Sequence, residues 1–327
     1  MSGPSQPNPS ALPVPPTGGA AAVPQRKGRR YSVLTRRDKL TMALMVGIPT
    51  FLCIAFIWLP AVASFFLSFT NWRGISALTA ENFIGLKNYE QLFTTYPFFW
   101  PAVWHNVLWL LTFVFIATPI GIFLAVLLDR EMRGTRVYQS AFFIPVVLSL
   151  AVVGFIWEQM YTSQGFINNV LGRTSQDTVI DWLGNPSLNI WAVLVAAGWR
   201  HVGYVMVLYL AGLKSVDPTL REAAAIDGAN QRQTFFKVVF PVMRPINVVI
   251  IVITVIESLR AFDIAYIINR GKNGLELLSI LITNNSISEA SLIGFGSAIA
   301  VVLLVISLVP IVIFLTRTMR ADRADSA

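Results

Sequence analysis

Long apolar runs separated by short charged segments organise this chain, and each run can be followed from one charge to the next. The first lies between Lys39 and Arg73, with its apolar stretch from Met42 to Phe69. Pro49 and Pro60 are expected to bend it. A second run extends from His105 to Leu128, a third from Tyr138 to Trp157, and a fourth from Ile190 to Leu213, interrupted by Arg200. A fifth starts near Pro245 and is strongly β-branched to Ile256. It then carries Glu257, Arg260 and Asp263 before ending near Ile268. The sixth, Leu292 to Thr316, is again free of charge. Crossing the hydrocarbon core as a helix takes about 20 mostly apolar residues, and a helix satisfies its own backbone polar groups there. The pattern predicts an all-α membrane protein of six transmembrane helices.

Composition agrees. Of 327 residues 55% are apolar and 13% charged, and the mean hydropathy is +0.63, far from an ordinary soluble domain. The basic residues flanking the runs set an expected orientation. Arg26, Lys27, Arg29, Arg30, Arg36, Arg37 and Lys39 precede the first run and place that end in the cytoplasm. Alternation puts on the same side Arg130, Arg133 and Arg136, then Lys214, Arg221, Arg232, Lys237 and Arg244, then Arg317, Arg320 and Arg323. The opposite loops hold fewer Lys and Arg. Both termini are thus expected in the cytoplasm, and the formal net charge of +8 is accounted for without nucleic acid.

Three regions follow: a tail over 1–40, a six-span transmembrane domain over 41–317 with a polar loop at 214–244, and a second tail over 318–327. Met1 to Pro24 contain only uncharged, non-aromatic residues rich in Pro, Ala, Gly and Ser, a composition expected to stay disordered. The first apolar run is expected to be retained as an anchor, being too long and too far along for a cleaved signal. Cys53 is the sole cysteine, which excludes an internal disulfide.

The loop at 214–244 carries its own chemistry. Asp217-Pro218-Thr219 suits a helix start, since Asp can cap and Pro fits the first turn. A short Ala-rich helix is expected from Thr219 to Ala229, with Gly228 ending it. Ala223, Ala224 and Gly228 would leave a smooth side for a close-packing partner. A second segment from Gln231 to Val239 leads to Phe240-Pro241, where the proline is expected to end the helical pattern. Read from composition alone, the same loop could instead lie as an amphipathic helix on lipid headgroups.

The spacing of Glu222-Ala223-Ala224, Gly228, Val238, Phe240 and Pro241 resembles the E-A-A-x3-G-x9-I-x-L-P loop in the membrane subunits of bacterial ABC importers. Ile226-Asp227-Gly228-Ala229 is similar to the form in carbohydrate importers. Phe143-Ile144-Pro145, Gly154, Trp157 and Gly165, together with Trp199, Gly203 and Leu210 to Leu213, extend the likeness over most of the chain outside the Pro-rich tail. Phe262-Asp263 before a Gly-bearing outer loop resembles the maltose F-like side of the carbohydrate uptake-1 group. That outer loop reads Gly271-Lys272-Asn273-Gly274 where relatives usually show Gly-Gly-Pro.

The resemblance implies a permease subunit of an ATP-driven importer in the bacterial inner membrane. Its partners would be a second, homologous permease, an ATPase dimer and an extracellular solute-binding protein, with a di- or oligosaccharide as cargo and glycerol phosphates or polyols as the alternative. It implies that Glu222, Ala223, Ala224, Asp227, Gly228, Ala229 and Pro241 form the ATPase-docking loop, with Glu222 pairing to a basic residue of the ATPase. The chain has no G-x-x-x-x-G-K-[ST] phosphate loop, so ATP would be bound by the partner and no cofactor by this chain.

Charges within apolar spans cost about 2.5 to 3.5 kcal/mol each on insertion scales, so Glu257, Arg260 and Asp263 are not expected to face lipid. Spaced three apart, they could neutralise one another along one helix face. Alternatively Glu257, Ser258 and Asp263 line a cavity and bind sugar hydroxyls. Arg200 and His201 on the fourth span and Asn106 on the second are further candidates. His105 and His201 are isolated from any catalytic set, which argues against an enzyme. An ion-gradient transporter could use the same charges, but would usually show internal repeats and would not need the loop.

Overall fold

The computed structural model describes residues 35–130, 134–173, 175–287 and 291–325. The rest of the Pro-rich and basic tail, Arg133 and the last two residues lie outside them, and with them the expectations for a disordered 1–24 segment and for the basic residues from Arg26 to Arg30. The chain divides into two compact units, one up to Ala55 and one over Phe56–Ala327. The first, from Thr35, is the helix α1 (Arg36–Cys53). Its start is fixed by a capping box: the Thr35 hydroxyl accepts from the Asp38 N–H, and the Asp38 carboxylate accepts from the Thr35 N–H at 2.8 Å. Pro49 lies inside this helix.

In the second unit, α2 (Leu59–Leu67) leads into a loop and α3 (Lys87–Thr94), then α4 (Phe99–Thr112) and α5 (Thr118–Leu128). After these come α6 (Thr135–Val147), α7 (Leu150–Tyr161), the short α8 (Phe166–Val170) and the 27-residue α9 (Asn189–Ser215). The polar loop folds as α10 (Pro218–Ile226), α11 (Gln231–Thr234) and α12 (Phe240–Val242), followed by α13 (Arg244–Leu259) and α14 (Asp263–Asn269). The chain closes with α15 (Leu278–Ser286) and α16 (Ile293–Asp325). Among the described residues four helices are long and apolar enough to cross a membrane, and six if two bent pairs each count as one span. The runs read from the sequence coincide with these segments.

Prolines shape the spans in one recurrent way. π-helical turns occupy Ile54–Trp58, Phe113–Ala117 and Phe235–Val239, and Pro60, Pro119 and Pro241 each stand two residues beyond the end of one. A helical proline has no N–H and its ring clashes with the carbonyl four residues earlier. Those carbonyls belong to Phe56, Phe115 and Lys237, the central residue of each π turn. Widening the helix there moves the offending carbonyl aside. Pro241 consequently does not end its helical run as expected; the chain continues to Val242 and turns at Met243.

Two expected spans are not simple rods. The third is broken at Leu148-Ser149, where α6 and α7 meet at 101°. Leu148 is extended, and the Ser149 hydroxyl caps α7 by accepting from the Val152 N–H at 3.3 Å. The fifth begins just past a 76° bend at Met243 that divides it from the polar loop, and it is interrupted at Arg260–Phe262, so α13 stops at Leu259 and α14 starts at Asp263.

The core is built around α9. Val205, Met206 and Tyr209 pack with Ala125 and Ile250 toward the polar loop, and Val193, Ala196 and Ala197 pack with Val153, Ile264 and Ala265 toward the other end. Gly121 lets α5 approach α9 closely. A Cβ there would lie 2.7 Å from the Val205 Cβ and 2.8 Å from the Val202 carbonyl oxygen, the small-residue contact that membrane helices use to associate. A buried polar junction ties three spans together: His201 Nε2 lies 3.2 Å from the Thr254 hydroxyl, which is 3.2 Å from that of Thr118, while the imidazole stacks on Phe113 at 4.3 Å.

Candidate docking loop and intramembrane cavity

The loop after α9 is held by local rules from end to end. The Asp217 side chain accepts from the Thr219 N–H at 2.9 Å, and Pro218 takes the first helical position. The far end closes on Gly228, with φ +79°. Its N–H bonds the Ala225 carbonyl at 3.1 Å and the Ala229 N–H bonds the Ala224 carbonyl at 2.9 Å, the paired pattern of a Schellman turn. Asn230 then caps α11 in a reciprocal pair with Gln233, at 2.8 and 2.9 Å. Helix, turn and helix therefore form a defined elbow.

Its outward face differs from the one expected. Glu222, Ala223, Asp227, Gly228 and Pro241 are exposed, Ala229 is half-buried, and Ala224 is buried. Successive helical residues point about 100° apart, so Ala223 shares a face with Asp227 while Ala224 turns inward. The smooth outer side is Ala223, Asp227 and Gly228. The Asp217 carboxyl is held below its ordinary range by the Thr219 backbone N–H and then by the Thr219 hydroxyl.

The charged residues of the fourth and fifth spans meet in space. Arg200, His201, Glu257, Arg260 and Asp263 line a cavity of about 110 Å³ together with the aromatic side chains of Trp109, Phe113 and Phe262. Arg260, Phe262 and Asp263 also border a second cavity of about 550 Å³. The helix break separates Arg260 and Asp263 from the regular spacing after Glu257. Among the described residues no ion pair within 4 Å joins the three, so the contact ladder along one helix face is not formed. Arg200 Nε and Trp109 Nε1 are buried donors without a partner among the described residues, and both belong to the cavity wall. Ser258 is not on that wall; it is fully buried and its hydroxyl bonds the Val255 carbonyl at 3.0 Å. Asn106 is also committed internally, accepting from the Leu278 N–H at 3.0 Å.

Sequence reasoning missed the aromatic wall, although Trp109 and Phe113 stand one helical turn apart. It also missed an ion pair between Arg221 on α10 and Asp129 at the end of α5, at 2.8 Å.

A family model described as "binding-protein-dependent transport system inner membrane component" matches residues 32–321. The chain belongs to that family. This inner membrane component is 31% identical to the xylose/arabinose import permease protein XacH of Haloferax volcanii, covering 80% of this chain and 83% of the relative. It is 28% identical to the trehalose/maltose transport system permease protein MalF of Thermococcus litoralis, covering 86% and 94%. A bacterial ABC transporter involved in the import of the acidic polysaccharide alginate has a chain that superposes with a TM-score of 0.73 at 20% identity, covering 87% of this chain and 96% of that one. That structural likeness establishes the shared fold of the inner membrane component.

Proposed function

We propose that this inner membrane component is one of two unlike permeases of a sugar ABC importer, that its α10–α11 elbow docks a separate ATPase, and that the cavity beside Arg260 forms part of the solute path. The observation that carries this is the elbow: an E-A-A helix capped at both ends, with Glu222, Ala223, Asp227 and Gly228 presented outward. A rigid, exposed helical knob on a membrane protein offers a partner a surface whose ordering entropy is already spent. The sugar reading is supported by the relatives named as permeases for xylose and arabinose and for trehalose and maltose. It is also supported by a cavity that mixes guanidinium, carboxylate and aromatic groups, which suit the hydroxyl edges and apolar faces of sugar rings. Both termini and the elbow lie on the cytoplasmic side in this reading.

The test is purification of the chain from its native membrane in mild detergent, with identification of every bound protein. A second permease and an ATPase are the expected companions, and the solute-binding protein captured with them is then screened against di- and oligosaccharides. A folded chain recovered alone that drives uptake in vesicles under a proton or sodium gradient refutes the proposal.

A further inference from the structure

We infer that Arg221 and Asp129 form a strut that makes the docking helix α10 and the transmembrane helix α5 move as one body when a bound ATPase closes. This rests on the docking reading above and extends it to how the motion enters the membrane.

The pair joins residues 92 positions apart, Arg221 Nη1 donating to Asp129 Oδ2 at 2.8 Å. The other terminal nitrogen, Nη2, donates to the Leu213 carbonyl at 3.1 Å, in the last turn of α9. One planar fork thus ties α10 to two other elements, a geometry that a lysine could not reproduce. Asp129 is itself the C-cap of α5, its N–H bonded to the Ala125 carbonyl at 2.8 Å, so force on its carboxylate acts on the end of that helix. The side chains are 38% and 14% exposed, which removes part of the solvent screening that weakens surface pairs.

Packing bridges this joint only in part, through Phe235 and Val239 of the elbow against Ala125 and Leu128. A cavity of about 310 Å³ opens between α5, α9 and the elbow, bordered by Asp129, Arg221, Ala225, Gln231 and Phe235. Arg130 is the other charged group on its wall. The fork spans the space that side chains leave unfilled. From Asp129, α5 runs back past Gly121, in close contact with α9, to Thr118 at the polar junction with His201. His201 and Phe113 line the cavity that holds Arg260. A displacement of α10 delivered to α5 therefore reaches the wall of the proposed solute path through rigid, packed elements. In the resting state α10 has supports besides the strut, namely the Asp217 cap, the Gly228 turn and the burial of Ala224.

The experiment uses the chain purified with its ATPase, with Cys53→Ser to remove the native thiol and spin labels at Ala225→Cys on α10, turned away from Ala223, and Phe123→Cys on α5, both exposed positions. Pulsed dipolar spectroscopy reads the distance between labels before and after trapping with ATP and orthovanadate. The expected result is one narrow distance in both states for the native pair. Arg221→Ala and Asp129→Ala should match it before trapping, then lengthen and broaden after it. Three results overturn the strut alone: a native distance that changes on trapping, both variants holding the native distance when trapped, or both already broadened without nucleotide, which makes the pair only a folding contact. A native chain that retains no ATPase overturns the docking reading, and the strut's role with it.

Discussion

Gly228→Ala isolates backbone conformation from every other property of the elbow. Gly228 has φ +79°, and a Cβ built there meets nothing within 4 Å. The substitution therefore introduces no clash, and its cost is that of holding an L-residue in the left-handed region, about 1 to 2 kcal/mol. That is a factor of roughly 5 to 30 in a two-state equilibrium. The two turn bonds, Gly228 N–H to Ala225 and Ala229 N–H to Ala224, should open more often by that factor. Amide hydrogen exchange in detergent reads it directly: protection at positions 228 and 229 should fall about 5- to 30-fold while the amides of α9 are unchanged. Gly228→Asn should lose less, because Asn visits this region more readily. Gly228→Asp adds a charge on the outer face and should further abolish ATPase retention while the chain stays inserted. Equal protection in the Gly and Ala forms would refute the claim that the turn depends on glycine.

Asp217 gives a pH dependence of definite sign. Its folded carboxyl is held below the ordinary value of 3.8 by its hydrogen bonds to Thr219. The cap's contribution is thus complete above the unfolded pKa and is lost as pH falls through the lower folded value; protection of the α10 amides should drop there, and not in Asp217→Asn. Within the spans, Glu257→Gln or Asp263→Asn should weaken solute binding about tenfold or more, the worth of a charged hydrogen bond, while Ser258→Ala should leave it unchanged; equal losses in all three would show that the cavity wall is misassigned. Asn106→Leu keeps the branched shape and heavy-atom count but leaves the buried Leu278 N–H without its acceptor, so the thermal midpoint should fall by the equivalent of about 1 to 3 kcal/mol, and an unchanged midpoint would contradict the bond at 3.0 Å.

The spans were legible because charge-free runs of this length have few other uses, and Asp217-Pro218 and Gly228 marked the elbow because caps are local chemistry. The break at Leu148 was legible in principle. Pro145 removes an N–H just before it and Ser149 supplies a cap, but uninterrupted hydropathy outweighed both. The inward turn of Ala224 follows from 100° per residue and was lost by putting the adjacent Ala223 and Ala224 on one smooth side. No local rule could pair Arg221 with Asp129, since their meeting depends on how α10 returns beneath α5. The fate of the fifth-span charges also lay beyond spacing, because i, i+3 arithmetic assumes a helix that the chain interrupts.

That interruption explains why the charges can serve a cavity at all. A broken helix inside a membrane is tolerated where other groups satisfy the backbone it frees. Here they do: the Ser279 hydroxyl of α15 donates to the Ala261 carbonyl, and the Asn106 amide of α4 donates to the Leu259 carbonyl at 3.4 Å. With those two carbonyls covered, Arg260 and Asp263 leave the regular register after Glu257 without stranding either acceptor in an apolar interior. In an unbroken helix the three would have stacked at three-residue intervals and neutralised one another. Separated, each keeps unused hydrogen-bonding capacity toward the cavity, whose wall also holds the partnerless Arg200 Nε and Trp109 Nε1. Charges in a span cost several kcal/mol unless water, protein or ligand meets them. Under the proposed solute path, charges left unpaired in this way are the groups that a solute entering the cavity would meet.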